Sequence, residues 1–347
     1  MKKYKHLLIA IALPLVSVAS VFAGNPDRQG EAGAYELTIN HWARGASYVN
    51  CSRTLGVEAT YLNPAGVGRL QTTELVLAST AYLRGTGVTY SAAGFGIKLN
   101  ENSAVAVSVA AMDFGSIPKT TAAQPEGIGA DFRPLFTNIG VTYAYTFEKR
   151  LSVGATARFI SESISDVSAS AIALDAGVMY TTGPKDNIHF GVSLKNVGTT
   201  MKYSGDGLSY VGRDATNKFP LTVDFRSRAV ELPSSLNIGA AYDINFAQVN
   251  RITLGGNFTA NSFSRDELTG TFEYAFRNMF MARAGYSFTA DAYAVGETLP
   301  AHTGLVGGIS FLVPTKKESN SGFGIDYSFR ATNRFNGSHT IGLRLNF

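Results

Sequence analysis

The side chains best suited to chemistry are thinly spread in this chain. Its five histidines are His6, His41, His189, His302 and His339. No two stand at the spacing that brings two imidazoles to one metal. A hydrolytic centre needs a Ser or a carboxylate held beside a His, and the local sequence writes no such pairing. His302 and His339 each start or border a late extended segment, so topology alone brings both towards one rim. Gly205-Asp206-Gly207 with Asp214 has the outline of a calcium loop but lacks the alternating oxygen ligands that one requires, and a plain turn accounts for it. No glycine loop of the phosphate-cradling type is present. Cys51 is the single cysteine, which leaves no internal disulfide and fits a small buried residue better than a reactive thiol. No catalytic residue, metal or cofactor is expected, and the chain is not expected to be an enzyme.

Residues suited to binding are denser, and they fall in two long connections. The stretch 197–233 mixes Met201, Tyr203, Tyr210, Phe219 and Phe225 with Lys202, Arg213 and Arg226. The stretch 114–135 carries Ile117, Phe132 and Arg133. Aromatics beside arginine are what protein-binding surfaces favour. The same loops would equally well fold over an opening and close it.

The elements that hold these connections alternate with period two. Ile139, Val141, Tyr143, Tyr145 and Phe147 interleave with Asn138, Gly140, Thr142, Ala144 and Thr146, so one face of a strand is apolar and the other polar. About fourteen such segments follow one another: 73–83, 86–99, 103–113, 136–147, 151–163, 167–181, 187–196, 234–245, 250–261, 268–277, 279–290, 302–313, 321–330 and 338–347. Connections after even-numbered segments are mostly short, and several after odd-numbered ones are long. That two-sided pattern, with an even strand count, predicts a transmembrane antiparallel β-barrel with both termini on the short-turn side. The last strand puts Ile341, Leu343, Leu345 and Phe347 on one face, expected to meet lipid, to close the barrel against the first strand and to be recognised by the barrel assembly machinery.

The start of the chain fits that destination. Lys2, Lys3 and Lys5 precede an apolar run from Leu7, and Val21-Phe22-Ala23 ends it with the small residues a signal peptidase reads. Residues 1–23 are expected to be a signal peptide. The whole chain has 30 basic and 26 acidic residues; with three of the lysines in the leader, the rest is close to neutral, and no basic patch argues for nucleic acid. Residues 24–72 lack sustained alternation but carry Tyr48, Leu55, Val57 and Tyr61, which favours packing as a plug in the lumen of the 73–347 barrel.

Ala34-Tyr35-Glu36-Leu37, Ala43-Arg44-Gly45-Ala46-Ser47-Tyr48 and Tyr61-Leu62-Asn63-Pro64-Ala65-Gly66 together resemble the N-terminal signature of the PorV/PorQ family. Phe190 to Gly198, Arg283-Ala284-Gly285-Tyr286, Ile325-Asp326-Tyr327 and Ser338-His339 continue the likeness in the family's order. Those proteins are outer-membrane components of the type IX secretion system, related in fold to FadL-type transporters. Cys51 to Gly56 departs from the acidic, Ala-rich stretch that family members tend to carry. The resemblance implies a FadL-like plugged barrel with a hatch at Asn63, Pro64, Ala65 and Gly66. It also implies partners: type IX secretion components and the C-terminal domains of cargo proteins, docked on Tyr203, Tyr210, Arg213, Phe219, Phe132 and Arg133. The alternative is a FadL-like transporter of hydrophobic small molecules, and a third reading is a structural barrel within a larger complex.

Overall fold

The computed structural model describes residues 26–54, 56–213, 219–247, 249–290, 300–314 and 321–347. The leader, Leu55, Asp214, Lys218 and most of 291–301 lie outside them. The alternating segments are strands. β1 (Glu74–Ala81), β2 (Thr89–Lys98) and β3 (Ser103–Asp113) lead to a two-residue hairpin of β4 (Ile117–Pro118) and β5 (Asp131–Phe132). β6 (Leu135–Phe147), β7 (Leu151–Ile164), β8 (Val167–Thr182) and β9 (Ile188–Gly198) come next, then a second hairpin of β10 (Ser209–Arg213) and β11 (Pro220–Asp224). β12 (Ser235–Phe246), β13 (Asn250–Asn261), β14 (Glu267–Phe276) and β15 (Phe280–Thr289) precede β16 (His302–Pro314), β17 (Gly322–Thr332) and β18 (Ser338–Asn346).

Fourteen of these strands pair in chain order into one closed antiparallel barrel, and the two hairpins stand apart from it. Each strand lies within three residues of the segment that alternation marks out. Closure joins β1 to β18, with Glu74 opposite Asn346 and Ala81 opposite His339. Thr73 and Phe347 extend that ladder by exchanging backbone hydrogen bonds of 3.2 and 3.0 Å. One rim carries the short turns and the other carries both hairpins, as the connection lengths require.

The two faces of the wall differ as the period-two pattern demands. Ile341, Leu343, Leu345 and Phe347 point outward and are exposed, as are Val141, Tyr143, Ile172 and Leu174. An apolar belt around the whole barrel is far larger than a water-facing surface tolerates and suits lipid. Inward positions are polar and buried: Thr142, Thr156, Asp175, Ser193, Asn257, Thr271, Ser310 and Thr340. The apolar core is displaced to the seam between the wall and the N-terminal segment, where Trp42, Tyr90, Met112, Phe136, Ile160 and Met201 are all buried.

Candidate functional site

Residues 26–72 cross the lumen as a series of single turns, at Pro26–Glu31, Tyr35–Thr38, Ala43–Ser47, Ala59–Leu62 and Pro64–Arg69. None is long enough to be stable alone, so wall contacts must hold them. Asn63 makes the tightest knot. Its side-chain oxygen accepts from the Ala65 amide at 3.1 Å, capping the turn that Pro64 begins. Its amide nitrogen donates to the carbonyls of Cys51 at 2.8 Å and Val178 at 3.1 Å, the latter on β8. Gly66 has no room for a side chain, since a Cβ there would stand 2.3 Å from the Thr54 carbonyl oxygen. Thus Asn63, Pro64, Ala65 and Gly66 form one folded unit against the wall.

The wall is cut away to receive it. Gly154 on β7 and Gly177 on β8 face each other in register, as do Gly191 on β9 and Gly239 on β12. A Cβ at Gly154 would lie 2.5 Å from the Pro64 carbonyl, at Gly177 2.0 Å from the Asn63 side-chain oxygen, and at Gly191 2.5 Å from the Cys51 carbonyl. Gly94 and Gly96 on β2 do the same for Val57, and Gly342 on β18 for Ala43. These glycines form a girdle that lets the backbone of the plug approach the backbone of the wall. Cys51 sits in it fully buried, and burial pushes its thiol up to about 12; it fills space, as a small buried residue does.

Polar fastenings complete the seat. A bulge at the outer end of β9, where Asn196 has a φ of 58°, breaks the alternation and turns both Lys195 and Asn196 inward. Asp175 of β8 accepts from the Asn196 amide at 2.7 Å and from Arg158 Nε at 2.6 Å, and Arg158 also reaches the Thr60 carbonyl of the plug. Lys195 Nζ lies 3.6 Å from the centre of the Tyr61 ring. His41 is packed among Trp42, Tyr61 and Tyr90; burial, with Arg158 and Lys195 nearby, lowers its pKa to about 3 and keeps it neutral. Towards the short-turn rim Arg44 bridges Glu58 at 3.0 Å and Glu74 at 3.2 Å.

The plug leaves a chamber on each side of itself. The outer chamber, about 390 Å³, is lined by Ile39, Asn40, Tyr61, Leu62, Asn196 and Asn237. The inner chamber, about 430 Å³, opens at the short-turn rim. Both run along the same four strands. Thr259, Glu267, Ser287 and Val306 of β13 to β16 face the outer one, and Arg251, Glu273, Arg283 and Leu312 of the same strands face the inner one. Between them stands the segment Arg44 to Val49. Ala46 and Val49 line the outer chamber, Arg44, Gly45 and Tyr48 the inner one, and Leu62 touches both. Tyr48 is buried, and its hydroxyl has no hydrogen-bond partner among the described residues. These residues of the plug stand between the two spaces along that wall.

Solved structures with the same build exist. The Pseudomonas putida toluene transporter TodX superposes with a TM-score of 0.56 at 13% identity, over 89% of this chain and 98% of that one. The Ralstonia pickettii toluene transporter TbuX gives 0.55 at 14%, over 89% and 100%. A Pseudomonas aeruginosa FadL homologue gives 0.51 at 12%, over 88% and 97%. The fold is FadL-like. No family model and no curated protein matches the chain in sequence, so the PorV/PorQ likeness rests on its motifs alone.

The FadL-like barrel distributes the loop residues expected to bind partners over separate places. Phe132 pairs with Ile117 in the β4–β5 hairpin, and Arg133 stands 4.0 Å from Asp113 beside it. Tyr210, stacked on Phe225, and Arg213 belong to the β10–β11 hairpin, with Phe219 at its edge. Tyr203 does not join them: its hydroxyl donates to Glu162 at the end of β7, pinning the loop down. Val211, Phe219 and Phe225 are 72%, 67% and 64% exposed, so the second hairpin projects from the rim instead of closing it. His302 and His339 are also kept apart. His302 is beside Tyr82, while His339, two strands on, bonds the Tyr327 hydroxyl at 2.8 Å on the other face. Gly205 to Gly207 is a turn packed on the carbonyl of Asp166.

One arrangement was invisible in the sequence. Thr181, His189 and Asp243 form a hydroxyl–imidazole–carboxylate chain, with His189 Nδ1 3.2 Å from the threonine oxygen and Nε2 3.0 Å from Asp243. The residues come from three strands, 8 and 54 positions apart, so no local motif announces them. All three are buried, and neither chamber is lined by any of them. Asp243 also binds Thr253 at 2.6 Å and Arg53 of the plug at 3.0 Å. The chain is therefore a fastening between plug and wall.

Proposed function

We propose that this chain is an outer-membrane channel for small hydrophobic molecules. The observation that carries the proposal is the pair of chambers on one wall, with the Arg44–Val49 segment of a plug between them. Related folds include proteins described as toluene transporters and a monoaromatic hydrocarbon channel. In this reading a molecule enters the outer chamber at the long-loop rim, outside the cell, and rests against Ile39, Tyr61 and Leu62. It passes to the inner chamber when Tyr48 and its neighbours yield. The glycine girdle and Asn63 keep the remainder of the plug fixed on the opposite wall, so a local shift suffices and expulsion of the plug is not needed.

Uptake tests the proposal. Cells carrying the chain should take up toluene or a long-chain fatty acid faster than cells lacking it, and Tyr48→Ala should raise the rate several-fold by joining the chambers. Rates at background in both wild type and variant would overturn it. The exposed β10–β11 hairpin then becomes the principal feature, and a docking role within type IX secretion, with cargo or secretion components on Tyr210, Phe219 and Phe225, takes its place. That second reading has in its favour the apolar projection of the hairpin, which the channel does not use.

A further inference from the structure

We propose that the inner chamber is an oxyanion-binding site. This goes beyond the channel reading and stands whether or not the chain transports anything. Six arginines line the chamber, Arg44, Arg53, Arg69, Arg251, Arg283 and Arg344. Only three carboxylates do, Glu58, Glu74 and Glu273, and each is already engaged. Glu58 takes Arg44 and the Gly45 amide at 3.0 Å each. Glu74 takes Arg44 at 3.2 Å and the Val57 amide at 2.6 Å. Glu273 takes Arg251 and Arg283, both at 2.6 Å. Asp243, behind the lining, takes Arg53.

One guanidinium has no carboxylate, and a second holds its carboxylate only loosely. Arg69 meets the Ser152 hydroxyl and the Arg150 carbonyl and, among the described residues, no carboxylate. Arg344 faces the lumen from β18, is 4% exposed, and has neither Nε nor Nη2 in a hydrogen bond. It forms a long ion pair with Asp326, 3.6 Å from Nη2 to the carboxylate, whose two oxygens are also buried without a hydrogen bond. The neighbouring wall residue is Gly324, where even a Cβ would approach the Arg344 guanidinium to 3.0 Å. The Nε groups of Arg53 and Arg251 are likewise buried and unpartnered. Counting Asp243 and Asp326 behind the lining, six arginines thus meet five carboxylates, and several of their N–H groups have no hydrogen-bond partner among the described residues. Burying a guanidinium whose donors are not met is costly, and a planar or tetrahedral oxyanion offers the paired acceptors its fork requires.

The same chemistry has two sources: a carboxylate on a molecule arriving from the outer chamber, or a free phosphate entering at the short-turn rim. Titration calorimetry on the full chain in an uncharged detergent, at constant ionic strength in chloride, distinguishes them. The probes are inorganic phosphate, benzoate, and benzyl alcohol as the uncharged counterpart. Binding of benzoate alone assigns the anion to the arriving molecule, binding of phosphate alone to the free ion, and binding of both shows a site open to each. In every one of these cases Arg344→Gln should weaken anion binding by about tenfold and leave benzyl alcohol unaffected. Arg69→Gln, on the half-buried end of the plug, gives the same test if the Arg344 variant loses its heat-modifiable barrel. The proposal fails if neither anion binds better than chloride, or if both variants bind as the wild type does.

Discussion

Residues that look reactive on paper are structural in this lumen, and the environment of each explains why. His41 is held neutral by burial among three rings. Cys51 fills the glycine girdle, and His189 holds Asp243 of the wall, which in turn pairs with Arg53 of the plug. Glu36 behaves differently. It lies in the Tyr35–Thr38 turn at the outer end of the plug, and burial, with Glu162 close by, pushes its carboxyl from the ordinary 4.5 up to about 7. A raised carboxylate favours the folded state while protonated. Its contribution is complete below pH 4.5 and is lost as the pH rises through about 7. Amides of residues 26–40 should therefore exchange faster, relative to a Glu36→Gln variant, as the pH climbs across that window. Parallel pH profiles for the two proteins would refute this. Neither the raised carboxyl nor the Arg344 donors were legible in the sequence, because both depend on what chain folding places opposite them.

Single turns and strands are each unremarkable as elements, and their fit is what makes a site. The turns of the plug are too short to persist alone, and the strands would enclose a wide polar lumen without them. Glycines at inward positions reconcile the two by letting backbones touch. Gly177→Ala tests this: a methyl group 2.0 Å from the Asn63 oxygen must push the hatch unit off β8, at a cost of about 1–3 kcal/mol. The barrel should remain heat-modifiable while residues 26–72 become accessible to protease. Unchanged protease resistance would show that the girdle is not a seat. Abundant glycine was visible from composition, but its arrangement was not. The positions matter only because Gly154 faces Gly177 and Gly191 faces Gly239 across strand pairs, a register that composition does not carry. The bulge at Asn196 is a similar case. It interrupts the alternation at Lys195-Asn196, and that interruption was the one local sign of two inward polar residues in succession.

At the scale of the whole molecule, closure depends on β18, whose outward Ile341, Leu343 and Leu345 and terminal Phe347 continue the lipid-facing belt. Phe347 also exchanges two backbone hydrogen bonds with Thr73. Deleting it should lower the amount of assembled barrel in membrane fractions, and normal levels would count against a role in assembly. By itself, the sequence determined the strand number, the two faces of the wall and the asymmetry of the rims. Those follow from a period-two pattern and from connection lengths, both local quantities. The tertiary structure decided the rest: which glycines receive the plug, how Tyr48 stands between two chambers, that Tyr203 is pinned while Phe219 projects, and that Arg344 meets Asp326 only at 3.6 Å. Each of these is a meeting of residues distant in the chain, and it comes into being only when the fourteen strands close around residues 26–72.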